Sequence, residues 1–332
     1  MAPFTSLPVD TTSVSSYFSS FPVRTCEPEA LPTIQQALES TISTCTAAGS
    51  RERKKANYRH SNPAGNLFGL CLTMCEADRV AYVSQFTEFL CIVDDVLEDL
   101  PFGEASIEHA ILRQALYQGY DHDDYEGRVV GKMKSFLREI RRELVSQNDA
   151  ETLLLLQTLD TSLHNRDSSD DEFQTLEDYI PYRKTNFDYE FVCQLLRWAM
   201  KIPLHMGPEE EKLARKYEHI IGVIVGLTND FFSWEMERSE TSDRVRNAVP
   251  VLMVEHSVHE NQAKLMLKKV ILNEESRASE LRHKIESASG SSEQLKRWIS
   301  AMELFAAGYS FWCATCPRYN RPQQEESFAE RC

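Results

Sequence analysis

Four acidic residues stand together at the end of one helical stretch, where local helix stability gives no reason for them. They close the segment 79–100, whose apolar residues recur every three to four positions, and are Asp94, Asp95, Glu98 and Asp99. Like charges four residues apart repel each other and also meet the negative end of the helix dipole. A hard cation such as Mg²⁺ would explain the cluster, because it prefers carboxylate oxygens. A solvated helix end in an acidic chain is the alternative.

A second set of oxygen-bearing side chains follows at helical spacing. The segment 208–238 has a long apolar stripe, and near its end stand Asn229, Ser233 and Glu237, four residues apart. At about 100° per residue these side chains fall on one helix face. An amide, a hydroxyl and a carboxylate can chelate one Mg²⁺ and leave positions for phosphate oxygens and water. Taken singly, each could instead be a hydrogen-bonded core residue.

Each set of polar residues could by itself be structural. Because two helices both end in oxygen-bearing side chains, a shared metal site is the better explanation. If the two ends face each other, they would hold several Mg²⁺ ions around a diphosphate. Such a metal cluster ionises an allylic diphosphate, because it stabilises the departing negative charge.

Composition narrows the remaining classes of function. The chain has 332 residues and a formal net charge of −15, so we expect no nucleic-acid partner, since basic patches hold phosphate backbones. No apolar run reaches the roughly 20 residues of a membrane span, and the N-terminus has no signal-peptide pattern. We therefore expect a cytoplasmic protein without a membrane anchor. The nine cysteines are scattered in apolar surroundings, which is typical of reduced thiols in a core.

Helical periodicity runs through most of the chain, and no alternating strand pattern competes with it. We predict an all-α protein with one helical domain over residues 31–320, an irregular N-terminal arm over 1–30 and a C-terminal tail over 321–332. The predicted helices cover 31–48, 76–100, 106–120, 127–146, 149–163, 176–200, 208–238, 248–256, 261–289 and 294–314.

The order of these motifs resembles that of the class I terpene cyclases, and the resemblance covers most of the chain. DDVLED at 94–99 is similar to the aspartate-rich motif of that family. Asn229, Ser233 and Glu237 match each metal-binding position of its NDxxSxxxE motif. The stretch SNPAGNLFGLC at 61–71 looks like the fungal members, both stand-alone sesquiterpene cyclases and the cyclase halves of bifunctional enzymes.

Two further features are similar to family landmarks. Arg183 lies 46 residues before Asn229, where the family has an arginine that senses the substrate diphosphate. Trp312, Arg318 and Tyr319 are similar to the tryptophan and the Arg-Tyr pair found near the C-terminus of these enzymes. The resemblance implies that Arg183, Arg318 and Tyr319 contact the diphosphate, and that residues 186–187 lie in a helix break near it.

The resemblance also implies a fold and a reaction. The fold is the single-domain helical bundle of class I terpenoid synthases, with a central active-site cavity. The metal ligands are Asp94, Asp95 and Glu98 on one side and the Asn-Ser-Glu triad on the other, with three Mg²⁺ expected. Farnesyl diphosphate and a sesquiterpene, of humulene type for example, are the first expectation, with geranylgeranyl or geranylfarnesyl diphosphate as alternatives. A homodimer is expected by analogy.

Aromatic side chains are expected to wall the cavity, because their faces stabilise carbocations. The candidates are Phe86, Phe89, Phe187, Phe191 and Trp312. Three positions depart from the family pattern. Many relatives have a lysine where this chain has Met236, and Arg238 or Arg244 is the candidate replacement. Phe187 stands where a small residue is often found, and Tyr309 replaces an asparagine that is common before the tryptophan.

Two other classes compete with the cyclase interpretation. A chain-elongating prenyltransferase would need a second aspartate-rich helix in place of the triad at Asn229, Ser233 and Glu237. A non-catalytic helical interaction protein would tolerate the acidic helix end, but it gives no reason for four motifs in family order.

Overall fold

Helices form nearly all of the regular structure in the computed structural model, which describes residues 6–97, 100–117, 129–146, 150–165, 172–202, 206–238 and 246–320. The predicted all-α fold is confirmed. No described helix combines the length and apolar character that crossing a bilayer requires. The helices are α1 Leu31–Cys45, α2 Arg51–Arg59, α3 Leu67–Cys71, α4 Val80–Leu97, α5 Phe102–Gln114, α6 Gly131–Ser146, α7 Ala150–Asn165, α8 Leu176–Asn186, α9 Tyr189–Ala199, α10 Pro208–Glu237, α11 Ala248–His256, α12 Glu260–Ser287 and α13 Glu293–Thr315.

The N-terminal arm is more ordered than the irregular segment that its sequence predicts. Strands β1 (Ser6–Pro8) and β2 (Arg24–Cys26) form an antiparallel pair, with Ser6 opposite Cys26. Three-residue strands are too short to show an alternating pattern, which is why the sequence does not reveal them. The predicted tail over 321–332 lies outside the described residues.

Two short helices were absent from the prediction for different reasons. Helix α2 is polar on nearly all sides, so it has no apolar stripe, and the Ser50 side chain caps it by accepting from the Arg53 backbone N–H. Helix α3 has only five residues, all buried, and Asn66 caps it. Both helices matter for function, because they contribute side chains to the central cavity of the bundle.

The helix predicted over 176–200 is broken into α8 and α9. Asp188 adopts the left-handed conformation at φ 52°, which ends the regular turn after Phe187. Its buried carboxylate accepts a hydrogen bond from the Ser162 hydroxyl on α7. Apolar periodicity continues across the break, so only the resemblance pointed to it.

Close backbone approaches position the helices around the centre of the bundle. Helix α10 packs against α12 and α13, and α4 packs against α1. A Cβ atom on Gly222 of α10 would lie 2.6 Å from the Tyr189 ring, and one on Gly308 of α13 would lie 2.2 Å from the Leu70 carbonyl oxygen of α3. These two glycines therefore allow α9 and α3 to lie directly against their neighbours.

Candidate active site

A cavity of about 220 Å³ lies between α3, α4, the α8–α9 break, α10 and α13. Its lining is divided into a polar part and an apolar part. The polar residues include Arg59, Asp94, Asp95, Arg183, Asn229, Glu237, Arg246, Arg318 and Tyr319. The apolar residues include Leu67, Phe68, Val83, Leu90, Phe187, Leu196, Phe305 and Trp312. Four motifs that are far apart in sequence thus meet at one cavity.

The two aspartates that begin the acidic motif have different surroundings. Asp94 is exposed and lines the cavity at the end of α4. Asp95 is buried, and its carboxylate accepts from Arg59 Nη2 at 2.5 Å and from Arg318 Nη1 at 3.4 Å. Both oxygens of Asp95 are thus used by cations of the protein. Glu98, the third predicted ligand of this motif, lies outside the described residues.

Arg59 is a cavity residue that sequence reasoning missed. It ends α2, is 4% exposed, and places its guanidinium between Asp95 and the fully buried Glu88, 3.7 Å from Nε. Burial alone would lower the pKa of Arg59, but the Glu88 and Asp95 carboxylates raise it above its ordinary value, so the cation is firmly held. A basic residue in the last turn of a polar helix is common, so the sequence carried no specific signal.

The triad on α10 is arranged on one face, as its spacing predicts. Asn229 directs Oδ1 at Arg183 Nη2, at 2.5 Å, and its Nδ2 donates to the hydroxyls of Tyr309 and Tyr319 at 2.8 and 3.1 Å. These contacts fix which end of the Asn229 amide is oxygen. Ser233 is buried one turn further along, and Glu237 lines the cavity at the helix end.

Arg183 joins the helix break to the triad. Besides Asn229, it donates from Nη1 to Asn186 Oδ1 at 2.6 Å, and its Nε lies 2.8 Å from Asp230 Oδ1. Asp230 is fully buried and also accepts from the Tyr179 hydroxyl at 2.8 Å. Burial raises the pKa of Asp230 to about 6 despite the neighbouring arginine. A ligand that binds Arg183 would therefore disturb contacts on both α8 and α10.

The Arg-Tyr pair after α13 closes the polar part of the cavity. Arg318 lies against Asp95 of the first motif, whereas the Tyr319 hydroxyl accepts from Asn229 of the second. Burial raises the pKa of Tyr319, so its hydroxyl stays protonated and able to donate. The pair links the two proposed metal motifs.

Two of the five aromatic residues predicted to wall the cavity lie in its lining. Phe187 and Trp312 line the cavity, and Tyr309 lies between them with ring centroids 5.6 and 6.1 Å away. The other three belong to the core: Phe86 packs on Phe191 and Phe89 on Phe136, all with centroids about 6 Å apart.

Helix geometry explains this correction. On α4, the face turned to the cavity carries Val83, Thr87, Leu90, Cys91 and Asp94. Phe86 and Phe89 are rotated away from that face at about 100° per residue, so they contact α9 and α6 instead. When a helix is apolar and buried on most of its sides, as α4 is, its sequence alone does not show which side faces a cavity.

Met236 has no positive charge, so another basic side chain has to replace the lysine that many relatives have at this position. Met236 lines the cavity, but Arg238 does not, since it pairs with Glu235 and Glu260 at the surface. Arg244 lies outside the described residues. Arg246, which the sequence did not single out, lines the cavity together with Glu237.

The donor set fits a hard divalent cation. Asp94, Asn229, Ser233 and Glu237 offer carboxylate, amide and hydroxyl oxygens, which are the ligands that Mg²⁺ accepts. Within the described ranges, no three His, Cys, Asp or Glu side chains come together as a metal site. A site here would therefore depend on the amide and hydroxyl of the triad and on oxygens from a phosphorylated ligand.

Comparison with solved structures places the fold among the class I terpene cyclases. Aristolochene synthase from Penicillium roqueforti superposes with a TM-score of 0.70, covering 92% of this chain and 99% of that one at 17% identity. Residues 85–277, more than half of the chain, match the family described as terpene synthase family 2, C-terminal metal binding. The chain belongs to this family, and the resemblance drawn from its motifs is confirmed.

Curated relatives are fungal terpene synthases that are much longer than this chain. An ophiobolin F synthase of Aspergillus clavatus is 30% identical over 257 residues, 75% of this chain and 34% of that protein. A bifunctional sesterterpene synthase of Talaromyces wortmannii is 26% identical over 78% of this chain and 35% of its own length. A cyclopiane-type diterpene synthase of Penicillium chrysogenum is 28% identical over 77% and 34%. The chain thus spans about a third of the relatives it matches.

Proposed function

We propose that this protein is a Mg²⁺-dependent class I terpene cyclase, which ionises a linear prenyl diphosphate and cyclises the resulting carbocation with release of diphosphate. The observation that carries the proposal is the division of one cavity into two parts. Asp94, Arg183, Asn229, Glu237, Arg318 and Tyr319 belong to its polar part, and apolar side chains such as Leu67, Phe68, Leu90, Phe187, Phe305 and Trp312 line the same cavity. A molecule with an anionic head and a hydrocarbon tail fits such a cavity, and family membership supports the same conclusion.

The polar residues have distinct roles in this proposal. Asp94 and the triad Asn229, Ser233 and Glu237 would hold Mg²⁺, three ions by analogy, which neutralises the charge that develops on the leaving diphosphate. Arg183 and Arg318 bind diphosphate oxygens through their planar forks, and Tyr319 donates its hydroxyl. Asp95 keeps Arg59 and Arg318 in place rather than binding metal itself.

Arg246 supplies the positive charge that Met236 does not. Its side chain belongs to the same cavity wall as Glu237 and Arg183, whereas Arg238 is engaged at the surface. A guanidinium there would contact the diphosphate from the α11 side.

The apolar part of the cavity controls the steps after ionisation. It excludes water, which would otherwise quench the cation early. The faces of Phe187 and Trp312 stabilise positive charge by about 0.5 to 2 kcal/mol per contact. The wall also folds the chain so that a distant double bond can reach the cationic carbon.

Farnesyl diphosphate is the substrate that we propose first, with a sesquiterpene, of humulene type for example, as product. The similarity of residues 61–71 to stand-alone fungal sesquiterpene cyclases supports this choice. Geranylgeranyl and geranylfarnesyl diphosphate are the second candidate, because relatives are named as diterpene and sesterterpene synthases. A cytoplasmic homodimer remains a proposal by analogy, to be tested by light scattering and by fractionation.

Product formation from defined substrates tests the proposal. Purified protein is incubated with farnesyl, geranylgeranyl or geranylfarnesyl diphosphate, with Mg²⁺ or with EDTA, and extracts are analysed by gas chromatography and mass spectrometry. We expect a cyclic product from one substrate, absent with EDTA. A longer linear diphosphate, formed with added isopentenyl diphosphate, would indicate a prenyltransferase. No product from any substrate would favour the interaction-protein alternative.

A further inference from the structure

Asn247 lies directly behind the oxygen atoms of the triad. Its side chain is 2% exposed, and its Nδ2 group donates to Glu237 Oε2 at 2.9 Å and to the Asp230 carbonyl oxygen at 3.0 Å. The Ser233 hydroxyl oxygen lies 3.5 Å from the same nitrogen. One amide group thus contacts two of the three residues proposed to bind metal.

The other side of the Asn247 amide is fixed by the start of α11. Its Oδ1 accepts from the Val249 backbone N–H at 2.8 Å, which caps the helix. The next residue, Ala248, donates its backbone N–H to Asp230 Oδ2 at 3.1 Å. The Val249 N–H holds Oδ1 of Asn247, and Asp230 holds the N–H of the adjoining Ala248. The start of α11 therefore fixes the direction in which the Nδ2 group points.

We propose that Asn247 is a positioning residue for the metal triad, an inference that rests on the proposed function. A carboxylate has two oxygens and a hydroxyl has two lone pairs. By donating to Oε2 of Glu237 and to one side of the Ser233 hydroxyl oxygen, Asn247 leaves Oε1 of Glu237 and the other lone pair of that oxygen for a metal ion. Groups that orient metal ligands in this way contribute strongly to metal affinity.

The type of residue supports this role over a simple helix cap. Serine, threonine or aspartate would cap α11 about as well. Serine is too short to reach Glu237, and aspartate would put a second negative charge against it. Only an amide both caps the helix and donates to the triad.

The experiment compares Asn247→Ser with Asn66→Ser. Both changes keep a capping hydroxyl in place of a capping asparagine, but Asn66 caps α3 and does not contact the triad. Binding of inorganic diphosphate is measured by isothermal titration calorimetry at a series of Mg²⁺ concentrations. We expect the Mg²⁺ concentration for half-maximal binding to rise about 10-fold or more with Asn247→Ser, and to stay within about twofold with Asn66→Ser.

The outcomes separate the inference from the function it rests on. If the wild-type protein binds diphosphate with Mg²⁺ and Asn247→Ser binds it equally, the inference is overturned and the proposed function stands. If the wild type does not bind diphosphate with Mg²⁺, both are overturned. Should Asn247→Ser fail to fold, Asn247→Asp keeps the cap and the size, and an unchanged Mg²⁺ dependence of that variant overturns the inference in the same way.

Discussion

Arg183 on α8 donates from Nη2 to Asn229 Oδ1 on α10 at 2.5 Å, across residues 46 positions apart in sequence. The proposed diphosphate sensor thus holds the oxygen that is proposed to bind metal. Diphosphate and Mg²⁺ would have to take over both halves of this hydrogen bond when they bind. The contact therefore couples the two binding events.

Arg183→Lys tests this coupling. Lysine keeps the charge beside Asp230, but one ammonium cannot also reach Asn186 and Asn229 as the planar fork does. For the same reason an ammonium cannot bind two diphosphate oxygens at once, and losing two charge-assisted hydrogen bonds to the departing diphosphate, of about 1.5 kcal/mol each, should lower kcat/KM about 100-fold. Arg277→Lys, an exposed position paired with Glu274, is the control and should change nothing. Equal turnover by both variants would refute the sensor role.

Asp94→Asn and Asp95→Asn should differ in what they damage. Asp94→Asn should lower turnover at least about 100-fold and leave the free energy of unfolding within about 0.5 kcal/mol, since Asp94 is exposed. Asp95→Asn should lower the free energy of unfolding by about 2 to 4 kcal/mol, because Arg59 loses a buried partner. Urea unfolding and product formation measure the two effects. Equal stability losses would contradict the assignment.

Arg246→Ala and Arg238→Ala form a matched pair of arginine deletions. Loss of a guanidinium that binds diphosphate should raise KM for the prenyl diphosphate about 10-fold or more. Arg238 is bound to Glu235 and Glu260 instead, so its loss should change KM less than twofold. Steady-state release of diphosphate gives both values. A larger effect at Arg238 would show that the wrong arginine has been chosen.

Phe187→Leu and Phe191→Leu separate cavity from core. Phe187 lines the cavity, so its loss should change the ratio of products, seen by gas chromatography, with little loss of stability. Phe191 is fully buried against Phe86, so its loss should cost about 1 to 2 kcal/mol in the free energy of unfolding and leave the products unchanged. Changed products from Phe191→Leu, with a stability loss from Phe187→Leu, would show that Phe191 lies at the cavity and Phe187 in the core.

Cys91 should resist alkylation although it lines the cavity. Burial raises the pKa of its thiol to about 12, so at pH 8 only about one molecule in 10⁴ carries the reactive thiolate. In urea the pKa returns to its ordinary value of about 8.5, and the thiolate fraction at pH 8 rises about 2,000-fold. Iodoacetamide labelling followed by peptide mass spectrometry should show that difference. Rapid labelling of the native protein at pH 8 would contradict it.

The parts of the structure that follow from local pattern were predictable. The long helices α10 and α12 carry apolar residues at helical spacing over many turns, and the spacing of Asn229, Ser233 and Glu237 is enough to place them on one face. The prediction that the motifs meet at one cavity rested on their order along the chain, which resembles that of a known family, and not on apolar periodicity.

Other features depend on contacts that a single sequence does not encode locally. Arg59 becomes a cavity residue only because α2 packs beside α4, where Asp95 and Glu88 receive it. Phe86 and Phe187 have the same side chain, yet Phe86 contacts the core, because of how α4 is rotated, and Phe187 lines the cavity from the break between α8 and α9. Rotation of a helix about its axis is decided by all of its neighbours together.

The close approach of Gly308 to the Leu70 carbonyl means that the width of the cavity can change without any change in the side chains that line it. Gly308 is not among the residues that line the cavity. A methyl group there would nevertheless push α3 away from α13, and α3 carries the lining residues Leu67, Phe68 and Cys71. The walls would separate while every residue that lines them stayed the same. Two proteins of this family could therefore accept chains of different length with identical lining residues, so the length of chain that is accepted is a property of the backbone spacing as much as of the side chains.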